Sequence, residues 1–388
     1  MLKKNRPYVD IASYSLNKKN EELCGDKIEI FQSEQNTIIV LADGLGSGVK
    51  ANILATLTTK IALTMLKKGE SLEETIDTVM NTLPVCQVRQ IAYSTFGIIK
   101  IDKDLNCTVI EYDNPPIFFV RDKALVNFKK EERYYGGKKV LLSSFPLLEG
   151  DFITLTSDGV IHAGVGNILN HGWEWSHVSE FLCKQDLVSA DQITRRLIDT
   201  CNCLYGNQPG DDTSAVTVKI RRPKIVNIFS GPPENPSLDK HYTHRFMNLE
   251  GSKIICGGTT ANIFSRELKR ELKTSLDYTD PTIPPIAELE GFDLVTEGVL
   301  TLKRVLDLLK KSKNEKMDDA VFKKDGASRL YKILLDESTH LQFWIGNSIN
   351  PAHQNPDFPQ ELSIKVNVIK EITEELKKYN KQISLKYI

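Results

Sequence analysis

Aspartates beside apolar runs are the residues of this sequence most able to do chemistry. Thr37-Ile-Ile-Val-Leu-Ala42 reads as a strand buried on both faces, and it runs straight into Asp43-Gly44. Phe152-Ile-Thr-Leu-Thr-Ser157 does the same into Asp158-Gly159. Gly210-Asp211-Asp212-Thr213 precedes a strand at 214–220, and Gly25-Asp26 precedes one at 28–31. A carboxylate beside a buried strand is costly unless it is paired or metal-bound. No matching set of Arg or Lys stands at these strand ends, so the set suggests bound cations. All-oxygen sites suit Mg²⁺ or Mn²⁺, whereas zinc prefers His and Cys. Two such ions about 3.5–4 Å apart share a water, lower its pKa and hold both oxygens of an in-line displacement. Glycine directly after the acid lets a backbone carbonyl approach an ion. A single Asp-Gly is most simply a turn, and Gly150-Asp151 reads as a plain turn before a strand. The ordered set carries the argument.

These acids need a scaffold, and residues 1–221 supply one. Short β-branched runs at 28–31, 37–42, 94–101, 107–112, 117–121, 152–156 and 214–220 predict strands, several joined by tight polar turns. Helices are expected over 49–68, 71–83, 173–183 and 190–205. Ser71-Leu72-Glu73-Glu74 has the form of a capping box. Strands in runs and helices in pairs predict an α+β sandwich rather than βαβ alternation.

After Arg221-Arg222-Pro223 the pattern changes. Strand, glycine turn and helix recur at Ile225–Phe229, at Lys253–Cys256 before Gly257-Gly258-Thr259-Thr260, and at Phe292–Thr296 before Glu297-Gly298. Leu341–Ile345, a Pro/Asn loop, a strand at 362–368 and a helix at 369–379 complete a separate α/β domain over 222–388. The lysines at 310, 311, 313 and 316 read as a solvated helix end or loop.

Composition closes off other classes. Fifty Lys and Arg against 51 Asp and Glu leave a net charge of −1, which gives no electrostatic footprint for nucleic acid or an anionic membrane. Seven cysteines, an odd number without a CxxC, read as reduced thiols rather than a disulfide framework. The start of the chain lacks an apolar leader core, and Ile53–Leu66, the most apolar helical stretch, falls short of a span of about 20 residues. A soluble, cytoplasmic protein is the expectation.

In order, Gly25-Asp26, Val40-Leu-Ala-Asp43-Gly-Leu-Gly-Ser-Gly48, Leu155-Thr-Ser-Asp158-Gly-Val-Ile and Asp211-Asp212-Thr213-Ser214 resemble the PPM (PP2C-type) serine/threonine phosphatases, in particular the bacterial SpoIIE-like branch. Tyr93-Ser-Thr-Phe-Gly97 and Tyr112-Asp-Asn-Pro-Pro116 fit the same branch. The resemblance covers about residues 8–221 and stops there. It implies a β-sandwich of two sheets flanked by helix pairs and two Mn²⁺ or Mg²⁺ ions. Asp43 would bridge the ions; the Gly44 carbonyl and Asp26 would complete one, and Asp158 and Asp211 would hold the other. Asp212 would be an alternate ligand, and Asp43 and Asp158 would be the catalytic acids. A hydroxide bridging the metals would attack phosphoserine or phosphothreonine directly, without a phosphoenzyme. The substrate would be a phosphorylated regulatory protein, such as an anti-sigma-factor antagonist. The helices at 49–68 and 71–83 would match a pair that can shift to organise the metals in this branch, so the resemblance implies that activity could be switched. Gly46-Ser47-Gly48 stands where relatives often carry Gly-His-Gly, the turn at 113–116 lacks Gly-His, and no arginine stands out to clamp the phosphate. A low-selectivity site, or one positioned by its partner, would follow.

Other features have a functional and a plain reading. Gly257, Gly258, Thr259 and Thr260 could place free N–H groups against a small anion, or form a tight turn with a Thr N-cap. His241 and His244 could join Cys256 around a metal, or lie at the surface. Trp173 and Trp175 could form a partner contact or anchor a helix on a sheet, and Cys201 and Cys203 read as packing. Three functions remain in view. The first is a metal-dependent phosphoprotein phosphatase carrying a sensory or partner-binding domain. The second is a catalytically silent phosphoprotein-binding scaffold that signals through that domain. The third gives 222–388 an activity of its own through the Gly257–Thr260 loop and Glu297.

Overall fold

The structure, a computed structural model, describes residues 6–82, 94–166, 168–274, 286–311, 325–346 and 360–388. Expectations that touch Leu83, Cys86, Tyr93, Lys313, Lys316 and the Pro/Asn loop at 347–359 lie outside the described residues. The chain divides into two compact units, one of Pro7–Arg222 and one of Pro223–Ile388 together with Arg6.

In chain order the first unit comprises β1 (Tyr8–Leu16), β2 (Asp26–Gln32), β3 (Asn36–Gly44), α1 (Gly48–Lys68), α2 (Leu72–Thr82), β4 (Ser94–Asp102), β5 (Asn106–Tyr112) and β6 (Phe118–Arg121). It continues with β7 (Ala124–Leu125), β8 (Glu131–Tyr135), β9 (Lys138–Pro146), β10 (Phe152–Thr156), α3 (Asp158–Ile161), α4 (Trp175–Cys183), α5 (Ala190–Leu204) and β11 (Thr213–Arg221). Two antiparallel sheets form, ordered β1-β11-β10-β6-β7 and β2-β3-β4-β5-β9-β8. Their inner faces interlock through Ile39, Leu41, Ile99, Val109, Ile153, Leu155, Val216 and Val218, all buried. The alternate residues of β3 and β4, Val40, Ala42, Phe96 and Ile98, face α1 and α2 instead. That division explains why β3 is apolar throughout: it is a central strand covered on both faces. The outer face of the other sheet is closed by α4 and α5. The result is the expected α+β sandwich flanked by helix pairs.

Local signals hold the helices in place. Ser71 Oγ accepts from the Glu74 N–H at 3.1 Å and Glu74 Oε2 accepts from the Ser71 N–H at 3.3 Å, a complete capping box at α2. Trp175 donates through Nε1 to the Pro116 carbonyl at 2.8 Å and stacks on Phe118, so it anchors α4 to the sheet. On α5 Cys201 is buried, but Cys203 is exposed, so the packing expected of both holds for Cys201 alone, because side chains two apart on a helix diverge. The α1 expectation needs correction. At 21 residues it is long and apolar enough, by length and composition, to cross a membrane. Here it is a core helix, with Ala51, Ala55, Ala62, Leu63 and Leu66 buried against the sheet.

The second unit comprises β12 (Ile225–Ser230), α6 (Asp239–Met247), β13 (Ser252–Cys256), α7 (Gly258–Leu268), β14 (Leu272–Thr274), β15 (Ala287–Leu289) and β16 (Leu294–Thr296). It ends with α8 (Val299–Lys311), α9 (Gly326–Lys332), β17 (His340–Ile345), α10 (Gln360–Lys377) and β18 (Gln382–Tyr387). Its sheet runs β14-β15-β16-β13-β12-β17-β18, and the five strands from β16 to β18 are parallel. Helices α6 and α7 cover one face around Phe229, Phe246 and Phe264, and α8, α9 and α10 cover the other. This is the separate α/β domain. The strand expected at 362–368 belongs to α10. Its β-branched residues Val368, Ile369 and Ile372, with Leu376, recur at helical spacing and pack on the sheet, so burial of that stripe overrides local strand preference.

Candidate active site

The acids converge at one end of the sandwich. Asp26 opens β2 and Asp43 lies next to the end of β3, and the antiparallel register sets them directly opposite each other. Both therefore sit within strands rather than beyond them. Asp158 follows β10 as the first residue of α3, and Asp211 and Asp212 form the turn into β11. Backbone bonds lock these ends together: the Ser157 N–H donates to the Ser214 carbonyl, and the Ser214 N–H donates to Ser157 Oγ, each at 2.9 Å. Ser94 Oγ donates to the Asp43 carbonyl at 3.0 Å.

Glycines allow this convergence. A Cβ at Gly159 would lie 2.1 Å from the Asp212 carbonyl oxygen, and one at Gly25 would lie 2.8 Å from Asp212 Oδ2. A Cβ at Gly44 would lie 2.1 Å from the Ala51 carbonyl, so Gly44 lets α1 close over the end of β3. The glycine after each acid thus serves chain packing as well as any approach of its carbonyl to an ion.

Electrostatically the acids outweigh the cations beside them. Burial pushes the Asp43 carboxyl up to about 9, helped by the charges of Asp26, Asp158 and Asp211 and by a hydrogen bond in which Asp43 keeps the proton and Asp158 accepts. Burial likewise raises Asp26 to about 7, with Asp212 and Asp158 adding to it and the Ser157 and Ser214 hydroxyls opposing. Asp158 is raised by burial and by Asp211, and the His162 charge pulls the other way. Neither oxygen of Asp26 meets a hydrogen-bond donor in proper geometry, nor does Asp212 Oδ2, and all three atoms are buried. Ser214 Oγ is already committed to Ser15 Oγ at 2.7 Å. Buried carboxylate oxygens without donors are expensive, and a divalent cation is the chemistry that relieves them. The donors present are all oxygen, the type that a hard divalent cation takes. Coordination is not pre-set: among the described residues no three acid, imidazole or thiol groups gather around a common point suited to an ion.

Lys18 is a residue that reading the sequence missed. Its N–H donates to Asp212 Oδ1 at 3.0 Å, and its Nζ lies 3.5 Å from Asp211 Oδ1. It comes from the turn after β1, a strand also missed, although Tyr8–Leu16 alternates inward and outward along much of its length. By contrast Asp151 is not a member of the cluster. It is buried and held by Arg121 through Nε at 2.7 Å and Nη2 at 2.6 Å, so it is a structural ion pair and more than the plain turn expected.

In the second unit Gly258, Thr259 and Thr260 form the first turn of α7, with Gly257 as its N-cap. The expected Thr cap is absent. Glu297 accepts from the Leu300 N–H at 3.2 Å and so caps α8, which gives it a structural task. His241 packs on Tyr242, and Cys256 is buried.

Comparison with known proteins agrees with this architecture. Residues 33–221 match the family model described as Stage II sporulation protein E (SpoIIE). The first unit has a PP2C-type phosphatase fold related to that family. The match begins after Asp26, whose membership of the site rests on its ladder position opposite Asp43. Among solved structures, the PP2C phosphatase domain with a fragment of the regulatory domain of SpoIIE from Bacillus subtilis is 20% identical, with a TM-score of 0.49. The alignment covers 55% of this chain and 62% of that one, less than two thirds of its length. The RsbU and RsbW domains of a Mycobacterium tuberculosis protein are 17% identical, with a TM-score of 0.46, over 62% of this chain and 68% of that one. The SiaA PP2C domain of Pseudomonas aeruginosa is 17% identical, with a TM-score of 0.43, over 53% and 85%. No curated protein matches the chain.

Proposed function

We propose that the first unit is a metal-dependent phosphoprotein phosphatase acting on phosphoserine or phosphothreonine. The observation that carries this reading is the buried acid cluster with donorless oxygens on Asp26 and Asp212, within a SpoIIE-like sandwich. Asp26, Asp43 and the Gly44 carbonyl would hold one divalent ion and Asp158 and Asp211 another, with Asp212 as alternate ligand. Two Mn²⁺ or Mg²⁺ ions would supply a water of lowered pKa and neutralise the phosphate oxygens. Asp43 and Asp158 are the acids assigned to catalysis. Without metal they share the proton that Asp43 holds, and Asp43 must release it before it can ligate. Lys18, about one-third exposed beside Asp211, stands where an ammonium could meet an incoming phosphate.

The substrate proposed is a phosphorylated regulatory protein, such as an anti-sigma-factor antagonist, in the cytoplasm. The described cysteines are all free thiols, which suits a reducing compartment. A scaffold that binds a phosphoprotein without turning it over is the second reading, favoured by the lack of a pre-set coordination group. The test is phosphate release from a phosphoserine peptide by the full chain with Mn²⁺, with Mg²⁺ and with chelator. Turnover that needs metal and disappears in Asp43→Asn supports the phosphatase. Peptide binding without turnover at saturating metal supports the scaffold.

A further inference from the structure

The parallel strands of the second unit, read across the sheet, follow the chain order 3-2-1-4-5 (β16-β13-β12-β17-β18). In doubly wound sheets of this order, ligands bind outside the carboxyl ends of the strands, near where the order reverses, here between β12 and β17. Three features line that edge. The first is the N-terminus of α7. Its cap is Gly257, with no side-chain cap bond and no acid in the first turn, so among the described residues no cap side chain satisfies the Gly258, Thr259 and Thr260 N–H groups. A Cβ on Gly258 would meet none of the described residues within 4 Å.

The second feature is a pair of hydroxyls. Thr260 and Ser230 are each 1% exposed, and neither Thr260 Oγ1 nor Ser230 Oγ has a hydrogen-bond partner. Thr260 Oγ1 faces the glycine turn, 3.4 Å from where a Cβ of Gly257 would stand. Ser230 is the last residue of β12. The third is Lys365 of α10. Its Nζ donates to the Gly346 carbonyl at 2.8 Å and lies where a side chain on Gly231 would have to go. Burial lowers it to about 8, and among the described residues no carboxylate is placed to pair with it. Two of its three donors remain for a ligand.

These features are spread along the edge. Lys365 Nζ lies over Gly231 after β12 and the α7 turn follows the neighbouring β13, and the two come from helices on opposite faces of the sheet. A ligand longer than a lone phosphate is suited to span that edge from one face to the other. We propose that this edge binds a phosphorylated small molecule of nucleotide size. Its phosphate sits on the Gly258–Thr260 N–H groups and the Thr260 hydroxyl, and its other polar end reaches Ser230 and Lys365. The turn after β12, Ser230-Gly231-Pro232-Pro233, lacks the glycine fingerprint of dinucleotide sites, which is why the anion seat falls after β13 instead.

The test is titration calorimetry of the full chain in chelator, which keeps the acid cluster of the first unit free of cations. The probes are inorganic phosphate, AMP, ADP and NAD⁺. A nucleotide should bind at least about tenfold more tightly than inorganic phosphate. Thr260→Val removes a hydroxyl that no protein group uses and should weaken binding by about tenfold, the worth of one hydrogen bond to a charged group. Gly258→Asp places a carboxylate over the free N–H groups; it should abolish binding and raise the melting temperature of the unliganded chain. Lys365→Gln should weaken nucleotides and leave inorganic phosphate unchanged. No binding of any probe at millimolar concentration would overturn the proposal. So would unaltered affinity in a folded Gly258→Asp chain, or equal affinity for inorganic phosphate and all nucleotides.

Discussion

Replacing Asp43 by Asn should stabilise the metal-free protein while removing its response to metal. The folded carboxyl is raised to about 9, whereas an aspartate in the unfolded chain ionises near 3.9. Folding at pH 7 must therefore load a proton onto Asp43 against roughly three pH units, about 4 kcal/mol. Asparagine carries no charge, keeps the volume, and can donate through its amide to Asp158 as protonated Asp43 does. The substitution should thus stabilise the apo first unit by up to about 4 kcal/mol. At roughly 2–4 °C per kcal/mol for a unit of this size, half that gain raises the melting temperature by about 4–8 °C. Divalent metal at a hundred times its dissociation constant stabilises wild type by about 2.7 kcal/mol, or roughly 5–11 °C. Asp43→Asn should lose most of that increment together with phosphate release. Scanning calorimetry of the full chain at pH 7, with chelator and with Mn²⁺, measures both arms. An apo melting temperature at or below wild type, or an undiminished metal increment, would refute the reasoning.

Other expectations follow from the same structure. In chelator, Asp26 and Asp43 both ionise above their unfolded values, so the folded state holds more protons between about pH 4 and pH 9. Stability should fall as pH rises through that window, and saturating Mn²⁺ should flatten the fall; a flat urea-midpoint profile in chelator would count against the buried-acid account. Gly159→Ala puts a Cβ 2.1 Å from the Asp212 carbonyl and must move the turn into β11, so metal-dependent phosphate release should drop by about tenfold or more while far-UV circular dichroism stays the same. Arg121→Met strands the buried Asp151 carboxylate and should destabilise the first unit by about 3–5 kcal/mol, measured by urea unfolding, without altering the metal increment. Lys18→Met should raise KM for a phosphopeptide more than it lowers kcat if the ammonium meets the substrate; equal kinetics to wild type would leave Lys18 a purely structural contact.

Several elements were legible locally. The Ser71/Glu74 box depends on residues three apart, and the uniform burial of β3 shows in its unbroken apolar run. Short apolar segments were harder. Residues 362–368 contain a β-branched cluster that fits strand or helix equally, and the buried stripe of α10 decided between them. β18 was missed, although Ile383, Leu385 and Tyr387 alternate with polar residues along Gln382–Tyr387, the pattern of a half-buried edge strand.

By itself the sequence determined which chemistry was available: acids at the ends of buried strands, glycines beside them, a near-neutral charge and a change of pattern after Arg221. These are local properties, fixed by residue type and by spacings of a few positions. The tertiary structure decided what long-range pairing alone can set. Register placed Asp26 opposite Asp43, the turn after β1 brought Lys18 to Asp211 across 193 residues, and strand order put Ser230, Thr260 and Lys365 along one edge. Burial then made the difference between carboxylates that happen to be near and carboxylates that cannot all stay charged. Desolvation depends on everything packed around a group, and no stretch of neighbouring residues encodes it.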